Sequence, residues 1–167
     1  ETPAVGFANG FPDCHIFPMH PPVAVPWEPG VAMCFARAEG MGHGPLTVDP
    51  RQALLRQVER AAAIGIDLQV GTELEFYLLE PDTGRPRDEG NDCYGLARAA
   101  ELEPVLGPMR RELAEMGIPI EQSNPEYAAG QVEVNIRYDS AMIAADRVIM
   151  FRSVSYTHLR AHETPIN

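Results

Sequence analysis

The chain has 167 residues, of which 45% are hydrophobic and 22% charged, and a formal net charge of −11. This is ordinary globular usage, in a chain long enough to bury a core. The acidity argues against nucleic acid or an anionic membrane surface as partners, and no run approaches the roughly 18 apolar residues of a transmembrane helix.

No basic-then-apolar leader opens the sequence. Cys14, Cys34 and Cys93 are few and widely spaced, and none pairs with a second Cys or His at zinc spacing. They read as reduced thiols of a cytoplasmic protein, used as small buried hydrophobes.

Residues 1–48 are rich in Pro and Gly, as in Phe17-Pro-Met-His-Pro-Pro22 and Pro26-Trp-Glu-Pro-Gly30, with Val31 to Ala36 reading as one short strand. Asp49-Pro50 predicts a helix start, an acid at the cap and Pro in the first turn. Leu54, Leu55, Val58, Ala61 and Ala62 give that helix an apolar stripe that ends near Ile64-Gly65. A strand follows, then a turn at Pro81-Asp-Thr-Gly84 and a polar loop from Arg85 to Asn91. Leu102, Val105, Leu106, Met109, Leu113 and Met116 recur at helical spacing before Gly117 closes the element. After a second acidic strand, Asp139-Ser140 is placed to cap a helix with Met142, Ala145, Val148 and Ile149 inward. The pattern predicts an α+β fold, with a curved antiparallel sheet and helices on one face.

The first acidic strand is Gly71-Thr-Glu-Leu-Glu-Phe-Tyr-Leu-Leu-Glu80. Side chains alternate along a strand, so Glu73 and Glu75 share a face, with Cα atoms roughly 6.5 Å apart. Leu68, Val70, Leu74, Phe76 and Leu78 take the other parity. Two adjacent acids repel unless solvent or a cation intervenes. Two readings stand: a solvated outer face, or ligands for a hard divalent cation. The second strand, within Asn124-Pro-Glu-Tyr-Ala-Ala-Gly-Gln-Val-Glu-Val-Asn-Ile-Arg-Tyr138, adds Glu126 in a Pro-flanked turn and Glu133 opposite in parity to Val132, Val134 and Ile136. If the strands are neighbours, four carboxylates enter one pocket, enough for a multi-metal phosphate site.

These residues carry a resemblance. The G-x-E-x-E-F strand, followed about fifty residues on by E-x-x-x-G-Q-x-E, is similar to the catalytic domain of the glutamine synthetase family, from about Phe11 to Arg152. The resemblance implies an ATP-dependent ligase that phosphorylates glutamate's side-chain carboxylate and then lets ammonia or another small amine displace phosphate. It implies Glu75, Glu126 and Glu133 as ligands of a first Mg2+ or Mn2+, and Glu73 as a ligand of a second metal on the ATP phosphates. It further implies Glu121 and Tyr138 as nucleotide contacts, Tyr94 as the tyrosine near the ammonium pocket, and a ring-forming homo-oligomer. Gln122-Ser-Asn-Pro125 stands where ammonia-assimilating members usually carry His. That keeps a γ-glutamyl-polyamine or alkylamine ligase open beside glutamine synthetase proper, and a non-catalytic metal-binding homologue as a third reading.

On this reading residues 1–30 close a small N-terminal β-grasp domain and its linker, and 31–152 form the first part of the catalytic domain. Residues 153–167 are set aside, because Val154 to Thr164 is also the one-frame translation of a transposase-type sequencing adaptor. With that tail excluded, the i, i+4 pair His158 and His162 is not read as a zinc site. The family's remaining metal ligands and glutamate-binding arginines would lie beyond Arg152, so the 167-residue chain by itself is expected to be inactive.

Overall fold

Proline-rich sequence in the first fifty residues produces short paired strands rather than a broad sheet. The computed structural model describes residues 6–87 and 92–160, and contacts divide it into two units, Glu1–Gln69 with Ser140–Met142 and Val70–Asp139 with Ile143–Asn167. In the first unit lie β1 (Cys14–Pro18), β2 (Val23–Ala24), β3 (Ala32–Met33) and β4 (Ala36–Gly40). β1 pairs antiparallel with β4, from Cys14 opposite Gly40 to Pro18 opposite Ala36, and β2 pairs with β3.

The single strand expected over Val31 to Ala36 is therefore two. At the break, Cys34 Sγ donates to the His20 carbonyl at 3.2 Å and the Met19 amide to the Phe35 carbonyl at 2.9 Å, which turns the chain from one ribbon into the other. Cys14 and Cys34 are exposed rather than buried, because a two-stranded ribbon lacks a second layer to cover both faces. Helix α1 (Pro50–Ala62) begins where the cap predicts. Asp49 Oδ1 accepts the Arg51 amide at 2.8 Å and the Gln52 amide at 3.4 Å, while Oδ2 accepts from the Ala38 amide at 3.3 Å. Gly65 ends the turn after it at φ 79°, a conformation that favours glycine.

The second unit is built on β5 (Gln69–Tyr77), α2 (Leu96–Glu115), β6 (Ile120–Pro125), β7 (Gln131–Ser140) and α3 (Ala141–Arg160). Its sheet has the order β5-β7-β6, so the two acidic strands are neighbours, and β6 and β7 form an antiparallel hairpin. A register shift between Ile120 and Gln122 leaves Glu121 outside the paired positions. Leu102, Leu106, Met109 and Leu113 of α2, Val132, Val134 and Ile136 of β7, and Phe151 and Val154 of α3 are buried. α2 starts at Leu96, earlier than its apolar stripe, and runs through Pro104 and Pro108.

α3 differs from expectation in phase. Ala141, Ala144, Met150, Phe151, Val154 and Ser155 are the buried positions, while Ile149 is exposed. The inward stripe is set by Phe151 and Val154, at the edge of and beyond the segment used to read it. His158 Nε2 lies 2.8 Å from Glu112 Oε2 of α2, and His162 lies outside the described residues. Among the described residues no helix is long and apolar enough to cross a membrane. The α+β class and the antiparallel sheet are as the sequence indicates.

Candidate active site

The β6–β7 hairpin fixes most of the site. Across it Asn124 stands opposite Glu133 and Pro125 opposite Val132. The connecting turn closes on itself: the Glu126 amide donates to the Gln131 carbonyl at 2.9 Å, and the Gln131 amide to the Ala128 carbonyl at 2.9 Å. Gly130 has φ 73°, and its carbonyl accepts the Leu78 amide at 2.8 Å, which ties the turn to the chain just after β5.

Glu126 and Glu133 are 8% and 5% exposed. Among the described residues no salt bridge reaches either. They share one donor instead: Asn124 Nδ2 lies 2.9 Å from Glu126 Oε1 and 3.2 Å from Glu133 Oε2. Glu75 is exposed, and its Oε2 accepts from Gln131 Nε2 at 2.6 Å. The same Gln131 side chain accepts the Ala128 amide through Oε1 at 3.0 Å. One amide therefore joins the hairpin turn to the neighbouring acidic strand. As placed, no three His, Cys, Asp or Glu side chains among the described residues stand close enough together to hold one ion.

The donor set nevertheless fits a hard cation. Two buried carboxylates without a cationic partner are costly, and a neutral amide compensates only part of their charge. Oxygen donors of this kind suit Mg2+ or Mn2+ rather than a thiophilic metal.

Tyr94 reaches this pair from the turn before α2. Its phenol is pushed up to about 12, first by the charge of Glu126 and then by hydrogen bonding to that carboxylate. It therefore stays protonated throughout the neutral range. Its backbone sits in the left-handed region at φ 58°, with its amide donating to the Pro125 carbonyl at 3.0 Å. Cys93 Sγ lies 3.9 Å from Glu126 Oε2, and burial followed by the Glu126 charge pushes its thiol up, so it is a protonated neighbour and not a thiolate.

Glu73, Glu121 and Tyr138 come together elsewhere on the unit. With Gly71, Thr72, Asn135 and Ile136 they line a cavity of about 420 Å³. Tyr138 packs beside Gly71, where a Cβ would lie 3.8 Å from the Tyr138 Cβ. Asn135 Oδ1 is buried there without a hydrogen-bond partner among the described residues. A larger, open cavity of about 680 Å³ lies between α2 and β6, around Arg110 and Ser123, and contains none of the acidic pair. Sequence reading gave no place in the site to the Asn124, Gln131 and Asn135 amides, and read Cys93 as a small buried hydrophobe, whereas it is half-buried with its thiol turned to Glu126. For Gln131 the signal was present in the motif; for Asn124 it required the cross-strand register.

A family profile described as the glutamine synthetase catalytic domain matches residues 47–166, a span that includes most of the tail set aside above. Glutamate–isopropylamine ligase of a Pseudomonas species is 28% identical over 89% of this chain and 35% of its own length. Gamma-glutamylethanolamide synthetase of Streptomyces coelicolor is 34% identical over 77% of this chain and 30% of its own. Glutamine synthetase of Clostridium saccharobutylicum is 33% identical over 84% and 33%. Among solved structures, a GmaS–ADP complex superposes with a TM-score of 0.80 at 28% identity, covering 97% of this chain and 37% of that one. The chain thus spans about a third of the length of the curated relatives it matches. With the profile covering most of its residues and both acidic strands, the chain belongs to the glutamine synthetase family, through that family's catalytic domain.

Proposed function

We propose that the intact protein is a cytoplasmic, ATP-dependent carboxylate–amine ligase that joins glutamate's γ-carboxylate to ammonia. The observation that carries this reading is the buried Glu126–Glu133 pair, with Glu75 tied by Gln131 to the same hairpin, in a chain of this family. In the first step a γ-carboxylate oxygen attacks the terminal phosphorus of ATP, ADP leaves, and γ-glutamyl phosphate forms. In the second the amine nitrogen attacks the acyl carbon, phosphate leaves, and the nitrogen loses a proton.

Glu75, Glu126 and Glu133 would hold one Mg2+ or Mn2+, and Glu73 a second. A bound divalent cation supplies charge neutralisation for phosphoryl transfer. The chain's own residues do the positioning. Tyr94 keeps its proton beside the Glu126 charge, and its main chain is tied to the Pro125 carbonyl next to that carboxylate. Gln131 holds Glu75 against the hairpin turn. Tyr138 offers an exposed aromatic face, and Glu121 and Asn135 offer acceptors, in the cavity assigned to the nucleotide. The full site would be completed by other parts of a ring-forming homo-oligomer.

A second reading, a small alkylamine as acceptor, is favoured by Asn124-Pro125 ahead of Glu126 and by relatives named for isopropylamine and for a γ-glutamylethanolamide. ADP release by the intact protein with glutamate and, in turn, ammonia, methylamine, isopropylamine and ethanolamine decides between them. The higher kcat/KM identifies the acceptor. Absence of ADP release with every amine overturns both in favour of a non-catalytic homologue. Glu133→Ala is expected to abolish turnover and first-site metal binding; unchanged metal affinity would defeat that assignment.

A further inference from the structure

We infer that Asn124 is a positioning residue that takes the place of the cation: in the metal-free protein its amide holds Glu126 and Glu133 together, and it yields that position when a divalent ion binds. The inference rests on the metal reading above and adds a residue to it.

The geometry is specific about which end of the amide faces the acids. Gln122 Nε2 donates to Asn124 Oδ1 at 2.9 Å, which leaves Nδ2 pointing at the carboxylates. Nδ2 then makes its contacts to Glu126 Oε1 and Glu133 Oε2, with a longer one to the Pro125 carbonyl at 3.4 Å. Asn124 is 9% exposed, so water does not readily replace the amide. Its register opposite Glu133 is set by the backbone ladder, not by the contact itself.

The energetics set the direction. Two buried anions repel, and the pair of amide hydrogens offsets part of that repulsion in a low-dielectric site. These hydrogen bonds stabilise the metal-free form and are given up on loading. Removing them raises the free energy of the metal-free state more than that of the loaded state, so binding becomes tighter. A residue that merely supports the fold would destabilise both states equally and leave affinity unchanged.

The test is a calorimetric Mn2+ titration of the intact wild-type protein, Asn124→Ala and Asn124→Asp, with thermal melts in chelator and in saturating Mn2+. Asn124→Ala is expected to melt lower in chelator and to bind Mn2+ about tenfold tighter, the scale of hydrogen bonds to charged groups. Asn124→Asp, which exchanges a donor for a third carboxylate, should lose more stability in chelator and regain it with Mn2+. Ser123→Ala, which removes only the acceptor for Arg110 Nη1, is the control and should lower both melts alike. If a variant is unfolded in chelator, Mn2+ should refold it, and failure to refold counts against the inference. Affinity in Asn124→Ala equal to or weaker than wild type, with wild type binding normally, overturns it alone. No Mn2+ binding by wild type removes the metal reading and this inference together.

Discussion

Gly130 passes so close to Leu78 that a Cβ placed on it would lie 2.6 Å from the Leu78 carbonyl oxygen. At that distance something must move, and the obstacle is backbone, held by the Leu78 amide bond to the Gly130 carbonyl and by the Arg87 amide on the Leu78 carbonyl. Gly130 also has φ 73°. Gly130→Ala therefore meets two costs: about 1–2 kcal/mol for the left-handed backbone and a further one for the clash. Gly117→Ala, at φ 77° with nothing within 4 Å, carries only the first. Urea unfolding should rank Gly130→Ala as clearly the more destabilised of the two; equal losses would refute the close approach as a constraint.

Asp49→Ala should cost about 1–2 kcal/mol in the same assay, the usual loss for an N-cap. The carboxylate serves α1 through Arg51 and Gln52 and also accepts from Ala38 in β4, so the loss belongs at the upper end of that range. Asp49→Asn, which keeps an acceptor, should recover most of it.

Tyr94 gives a pH signature. Its phenol is raised from 10.0 to about 12, chiefly by the Glu126 charge. A raised folded-state value favours the protonated form, so this contribution is complete below the unfolded value near 10 and disappears as pH rises towards 12. Absorbance at 295 nm in chelator should show a late phenol that Tyr94→Phe removes. If that substitution instead removes a phenol titrating near 10, the coupling to Glu126 is wrong.

Gln131→Glu tests the bridge between the acidic strands. The substitution removes the donor to Glu75 Oε2 and sets a like charge against it. Stability in chelator should fall by about 1 kcal/mol, and kcat/KM of the intact protein by at least about tenfold. Gln131→Ala should affect stability similarly without adding charge. If both variants turn over at the wild-type rate, the bridge has no part in placing Glu75.

Much of this was legible from alternation and capping. The parity of β5 put Glu73 and Glu75 on one face, that of β7 put Glu133 out of phase with Val132, Val134 and Ile136, and Asp49-Pro50 located α1, because these signals are local in sequence. What was not legible depended on register or on tertiary cover. Asn124 reads as a turn residue until β6 is aligned with β7, when it falls opposite Glu133. The phase of α3 depended on Phe151 and Val154, and the two short ribbons before residue 41 had no alternating run long enough to mark them. Nor does sequence tell that Asn135 Oδ1, in the cavity with Glu73, Glu121 and Tyr138, has no hydrogen-bond partner among the described residues.

Tyr94 is coupled to one hairpin in two ways, by its amide on the Pro125 carbonyl and by the electrostatic pull of the Glu126 carboxylate on its phenol. It does so from a backbone conformation that most side chains avoid, one residue before the cap of a 20-residue helix. The position therefore links the start of α2 to the acidic pocket, through the main chain at Pro125 and through charge at Glu126. Few residues meet its demands together. A substitute must tolerate positive φ and present a proton donor at the reach of a phenol; Asn satisfies the first demand but is too short for the second.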